Sequence, residues 1–190
     1  MRGTRRLVGA LSVGVLALGM TMGMAGTASA DLQPSPNYNE LVSSIIDSAG
    51  APTCLDVTNG ATSAGTDMQI FHCHASASNG APQRFLVTAQ QPDQYFIFSE
   101  SASKCMTPKT VGQNGPILAG QSVVDQPCQT TTAYDLWQAA TAPGNRFELV
   151  NVANPSLCMG IQNGPSLGDH SQVVMVDCNA LPQFTFWRLG

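Results

Sequence analysis

The residues that could do chemistry crowd into one stretch, Cys54 to Phe85. Asp56 stands two residues after Cys54, and Phe71 stands two before Cys73. Gln69 lies between them, and Gln83-Arg84-Phe85 forms a Gln-x-aromatic step. His72 and His74 flank Cys73 and would share one face of a strand. With an acid they could bind metal. Two ligands do not make a site and surface His pairs are ordinary, so no metal is expected. Gly164-Pro165-Ser166-Leu167-Gly168 matches G-x-S-x-G in letters. A nucleophile elbow needs a strand before the Ser and a helix after it. Here Pro165 precedes the Ser, a strand-like run follows, and His170 nearby does not rescue the match. There is no P-loop and no dinucleotide fingerprint, so no cofactor is expected. Paired carboxylates for glycoside cleavage stay open at this level.

The elements that must hold these groups read as strands. Tyr95-Phe96-Ile97-Phe98, Arg146-Phe147-Glu148-Leu149-Val150 and Gln172-Val173-Val174-Met175-Val176 are short runs rich in aromatic and β-branched residues, bounded by Gly, Pro, Asn and Ser. That is the strand signature. Asn39 to Ile46 has room for one turn of helix at most, and nothing after it keeps a helical period. The fold class expected is all-β.

Residues 1–30 read as a secretory signal: Arg2, Arg5 and Arg6, an uncharged run from Leu7 to Ala25, then Ala28-Ser29-Ala30. A membrane anchor is the alternative, and the many Gly residues and the A-x-A site argue against it. Arg5-Arg6 leaves the export route open between the general and twin-arginine pathways. A mature chain starting at Asp31 has five basic residues against twelve acids, a net charge of −7. Such a surface offers no footprint for nucleic acid or for anionic lipid. Residues 31–37, with Pro34 and Pro36, read as a flexible leader, and about 160 residues suit one domain with one core.

All six cysteines follow the signal, in pairs 19, 23 and 20 residues apart: Cys54 and Cys73, Cys105 and Cys128, Cys158 and Cys178. An even count in an exported chain implies disulfides. Spacing alone leaves fifteen connectivities; an internal repeat selects neighbours. Asn-Gly recurs between the members of each pair, at Asn59-Gly60, Asn114-Gly115 and Asn163-Gly164. Asn-Gly favours a two-residue hairpin turn, which would place each Cys opposite its partner. Each bridge closes about 20 residues and contributes roughly 3 kcal/mol in the chain-entropy model. An aromatic anchor follows each pair, at Phe85, Trp137 and Trp187, spaced by 52 and 50. Three copies, about 38–90, 91–141 and 142–190, would shield most strand edges around a pseudo-threefold axis.

Cys54-Leu55-Asp56, the Asn-Gly turn, Gln69-Ile70-Phe71-His72-Cys73 and Gln83-Arg84-Phe85 together resemble the repeat of the ricin B-type lectin family, with Phe85 where that family has Trp. The resemblance implies a β-trefoil over about residues 38 to 190. It implies a carbohydrate partner and no reaction, since such trefoils usually accompany a catalytic domain. It also implies a shallow site in which Asp56 accepts hydroxyls and Phe71 stacks on the sugar ring. Gln69 and Gln83 would brace or supplement the acid, with His74 at the rim. A charged acceptor makes the stronger hydrogen bonds, and an aromatic face complements apolar C–H groups. Pro82 replaces an Asn that the family often has before the Gln, which removes one ligand. Copy two has Thr107, Gln126 and Asp135 at the places of Asp56, Phe71 and Gln83; copy three has Gly160, Val176 and Thr185. Both read as scaffold, with Asp125 a loop acid still able to bind something.

The expectation is a secreted, extracellular, non-catalytic carbohydrate-binding protein with one site, in copy one. Against it stands a structural reading in which Asp56 caps a turn, Phe71 fills the core and Gln83 pairs with backbone. A third reading is a protein-binding module such as a protease inhibitor or toxin accessory, but its candidate loops, Ser76 to Pro82 and Gln129 to Tyr134, carry no evident anchor.

Overall fold

The computed structural model describes Leu32 and residues 36–74, 81–112, 115–162, 168–179 and 184–190. These form twelve strands and no α-helix. Four fall in each third of the chain: β1 Leu41–Ile46, β2 Pro52–Val57, β3 Met68–His72 and β4 Phe85–Gln91; β5 Gln94–Ser99, β6 Lys104–Pro108, β7 Val123–Gln126 and β8 Trp137–Ala142; β9 Arg146–Asn151, β10 Leu157–Ile161, β11 Val173–Asp177 and β12 Phe186–Leu189. Asn39 to Ile46, read as a helical turn at most, is largely strand. Its Leu41 and Val42 are buried, and β1 is clamped between β12 and β2.

All pairings are antiparallel. The first and last strands of each third close a six-stranded barrel: β1 on β12, β12 on β9, β9 on β8, β8 on β5, β5 on β4. Asn39, just ahead of β1, then bridges Phe85 of β4 and completes the ring. A closed barrel leaves no unpaired edge among these strands. The middle strands of each third form hairpins, β2–β3, β6–β7 and β10–β11. This is the pseudo-threefold β-trefoil.

Alternation within each hairpin sorts the side chains. Leu55 and Val57 of β2 and Met68 and Ile70 of β3 have no exposed surface and enter the core with Met106, Met159 and Met175. The three anchors lie in the same core, fully buried. The indole N–H of Trp137 donates to the carbonyl of Met106 at 3.0 Å, and that of Trp187 to Met159 at 3.0 Å. Phe85 fills the same place without that bond. Leu32, in the stretch read as a leader, is 1% exposed and packs into this core.

All three neighbour disulfides form, Cys54–Cys73, Cys105–Cys128 and Cys158–Cys178. The reason differs from the one expected. Asn59 and Gly60 do adopt positive φ, 57° and 62°, but they end a short 3-10 turn at the head of a ten-residue loop, Thr58 to Asp67. Asn114, Asn163 and Gly164 lie outside the described residues. The cysteines are not opposite one another either. Cys54 faces Phe71, Cys105 faces Gln126 and Cys158 faces Val176, each two residues short of the partner Cys. The bridge runs diagonally from the ladder to the chain leaving it, with Cα atoms 4.9 to 5.0 Å apart.

The thirds are joined by the loop that precedes each third strand. The amide of Gly65 donates to the Asp125 carbonyl at 2.6 Å, that of Gly120 to Met175 at 2.8 Å, and that of His170 to Ile70 at 2.8 Å. Isolated bridges follow in step, Asp67 to Val124, Ser122 to Val174 and Gln172 to Gln69. Each third therefore leans on the next, and the last leans on the first.

Candidate functional site

The period of two that sends Leu55 and Ile70 inward sends Asp56, Gln69 and Phe71 to the other face of the β2–β3 hairpin. Asp56 and Gln69 are direct cross-strand partners. Gln69 Nε2 donates to Asp56 Oδ1 at 2.8 Å. A concavity of about 170 Å³ opens over them, lined by Asp56, Asn59, Gln69, Phe71, His74 and His170, with Gly60 and Pro82 completing the wall. Gly60 suits that wall for two reasons: its φ is positive, and a Cβ there would lie 3.1 Å from the Pro82 ring.

Asp56 is 6% exposed. Burial holds its carboxyl above the ordinary aspartate value; hydrogen bonds from Gln69 and Gln83, and the nearby His74 and His170, pull the other way. Phe71 is half-buried, not a core residue. Its ring lies 4.0 Å from His72, 5.6 Å from His74 and 4.8 Å from His170, centroid to centroid. All three histidines of the chain thus surround one ring.

The structure brings Asp56, Gln69, Phe71 and His74 to one surface. Gln83 stands behind it. It has no exposed surface, its Nε2 donates to the His72 carbonyl at 3.0 Å, and its Oε1 accepts the His74 amide at 2.8 Å. It ties the end of β3, and through it the disulfide, to the wall carrying Asp56.

His170 joins this site from outside the repeat-one motif. It comes from the third repeat, on the loop that seals the seam, and its Nδ1 lies 3.1 Å from Gln69 Oε1. Its neighbour Asp169 pairs with His72 at 3.0 Å. The signal was in the sequence. Ala64-Gly65-Thr66-Asp67-Met68, Ala119-Gly120-Gln121-Ser122-Val123 and Asp169-His170-Ser171-Gln172-Val173 are in register, and only the third breaks the Gly.

The other repeats differ in kind. In repeat two a larger concavity, about 320 Å³, is lined by Thr107, Lys109, Gln126, Gln129 and Tyr134 among others, with no acid in its wall. Asp135 sits behind it at 1% exposure, accepting the Gln129 amide at 2.6 Å. Its carboxyl is raised by burial, against hydrogen bonds from the Gln129 amide and the Thr107 hydroxyl. In repeat three a Cβ on Gly160 would stand 2.5 Å from Val176, so that side chain already fills the equivalent space. Thr185 there donates to Glu148 Oε1 at 2.5 Å. Asp125, read as a loop acid, is a β7 residue with no exposed surface. It occupies the layer of Ile70 and Met175, and its Oδ1 accepts the Thr66 amide at 2.9 Å across the seam. Burial raises its carboxyl too. It cannot reach a ligand.

Among the described residues the only group at metal-ligand spacing is Glu40, Cys54 and Cys73, and both cysteines are spent in a disulfide. Most of the G-x-S-x-G stretch lies outside the described residues.

This architecture recurs in solved structures. A designed threefold-symmetric protein, ThreeFoil, superposes with a TM-score of 0.64 at 20% identity, over 80% of this chain and 96% of that one. The C-half of an earthworm R-type lectin in complex with GalNAc matches at 0.55 and 10% identity, over 82% and 100%. A Polyporus squamosus lectin, bound to a sialylated influenza-binding epitope, matches at 0.60 and 12%, over 80% of this chain and 48% of that one. No curated protein matches the sequence. The family model of the ricin-type beta-trefoil lectin domain matches residues 43–180, most of the chain, and the protein belongs to that family.

Proposed function

We propose that the protein binds carbohydrate without turning it over, through the concavity of repeat one. The observation that carries the reading is the meeting of Asp56, Gln69, Phe71 and His74 on one open surface. Asp56 is poised by a donated amide and offers its remaining acceptor capacity to sugar hydroxyls. Phe71 offers a half-exposed ring beside it for the apolar face of a pyranose. Family membership and the sugars named with two structural neighbours, GalNAc and a sialylated glycan, support the class of ligand.

We further propose that the protein is exported and works outside the cell, with Asp31 as first mature residue. The basic start, the apolar run and Ala28-Ser29-Ala30 support export, and so does the bridging of every cysteine. N-terminal sequencing of the mature protein checks this; a chain that keeps Leu7 to Ala25 refutes it.

One acid and one ring in a shallow site gain few interactions after ordering costs, so one sugar should bind with a dissociation constant on the order of millimolar. Useful avidity then needs clustered glycans. A glycan array on the mature protein, followed by titration of the best hit, tests the reading. Silence across the array sinks it.

A further inference from the structure

We infer that His170 is a specificity-determining residue of this site, so that the repeat-one pocket is built by two repeats, the first and the third. The inference rests on the carbohydrate reading of that pocket and adds to it a residue that no within-repeat motif contains.

Three observations carry it. First, His170 sits at φ 68°, in the left-handed region where a side chain is costly. The equivalent positions are Gly65 at 84° and Gly120 at 86°. Their amides make the same seam hydrogen bond as that of His170, so the backbone requirement is common to all three. Glycine meets it without strain, and only the seam beside Asp56 bears a ring instead.

Second, at two of the three seams the position aims a side chain into the neighbouring site; at Gly120 a Cβ would meet nothing within 4 Å. A Cβ built on Gly65 would lie 3.4 Å from Gln126, which occupies the place of Phe71 in repeat two. His170 realises that contact, with its ring 4.8 Å from Phe71 and in the wall of the concavity.

Third, the hydrogen-bond chain fixes the ring's chemistry. Gln69 Nε2 donates a hydrogen bond to Asp56, which leaves Gln69 Oε1 as an acceptor facing His170 Nδ1. Nδ1 therefore carries the hydrogen. In the neutral ring Nε2 is then an acceptor. With that ring neutral the pocket offers two acceptors, the Asp56 carboxylate and His170 Nε2, beside one aromatic face. It suits a saccharide with at least two hydroxyl donors on one edge of the ring.

The test uses the mature, disulfide-bonded protein and the best glycan-array hit. His170→Gly restores the residue found in the other two repeats and should fold with a melting temperature within about 3 °C of the parent. It should bind the glycan at least about tenfold more weakly. His170→Asn, which tolerates positive φ, should lose affinity likewise. In the parent, the ring signals of His170 in a heteronuclear NMR spectrum should shift on titration with the sugar. Parent-like affinity in both variants, or silent His170 ring signals at saturation, overturns the inference while leaving the site standing if Asp56→Ala still fails to bind. A parent that binds no glycan sinks the carbohydrate reading and this inference together.

Discussion

Repeats one and two each hold one acid by the concavity, but at opposite depths. In repeat one the acid, Asp56, faces the concavity and the amide, Gln83, stands behind it. In repeat two a hydroxyl, Thr107, faces the concavity and the acid, Asp135, stands behind. The rear positions do one job: Gln83 Oε1 and Asp135 Oδ2 each accept the amide of the residue after the second Cys, at 2.8 and 2.6 Å. Any well-placed acceptor serves there, so the scaffold tolerates either. The front position decides what the surface can hold. Room does not: repeat two has the larger concavity and lacks the charged acceptor in its wall.

The front positions give the largest expected effect. Asp56→Ala should lower affinity for the best array hit at least about a hundredfold, since it removes a charged acceptor. Thr107→Ala should change it less than about twofold. Isothermal titration of both variants decides; equal losses, or none from Asp56→Ala, would erase the contrast between the repeats.

The rear positions should behave alike in stability. Gln83→Ala and Asp135→Ala each strand a part-buried amide and should cost about 1–3 kcal/mol in denaturant unfolding. Only Gln83→Ala should also weaken glycan binding, because only Gln83 backs an acid in the wall. A cost confined to one variant would show that the two braces are not equivalent.

The anchors sharpen the comparison next. Trp137→Phe gives repeat two the anchor of repeat one and removes the indole bond to Met106. A loss of about 1–2 kcal/mol is expected from the bond and the smaller ring. A neutral outcome would mean that the carbonyl finds another donor.

The smallest effect is electrostatic. Burial raises the Asp135 carboxyl in the folded state. The folded protein then takes up this proton at a higher pH than the unfolded chain does. Stability attributable to the group therefore rises as pH falls toward the ordinary aspartate range and is lost as pH climbs above the raised value. Asp135→Asn cannot titrate. The melting temperature of the variant relative to the parent should stand higher by a few degrees at pH 7 than near pH 4. A gap that widens on acidification contradicts the assignment.

Much of the trefoil is readable in the sequence because it is written three times. The Cys pairs, the anchors and the equivalences of Asp56 with Thr107 and Gly160, and of Phe71 with Gln126 and Val176, all follow from register within a repeat. What escapes is what runs between copies. Asp125 reads as a loop acid because its type favours solvent and Gln126-Pro127 follow it; only the pairing with Met106 puts it in the core layer. Gln83 reads as a brace or a supplement to the acid, and type alone does not choose between them; its amide is engaged with the chain leaving β3. His170 lies 101 residues from Gln69, and no local pattern joins them. Asn59-Gly60 signals positive φ correctly, yet a dipeptide cannot tell a two-residue hairpin from the head of a longer loop.

The seam that returns from the last third of the chain to the first has a consequence for biosynthesis. Chains emerge from the amino end at about 5–20 residues per second, and early segments are free to fold first. Asp56, Gln69, Phe71 and the first disulfide are all made early. The loop that carries His170 and pairs with Ile70 and Gln69 appears about a hundred residues later, with the third repeat. The β1 strand also waits for β12 before its outer edge is covered. A nascent chain can close its first disulfide, but it cannot finish the first pocket until the third repeat has been made. The pocket is therefore a record of completion: an intact repeat-one surface reports that the third repeat has arrived and docked.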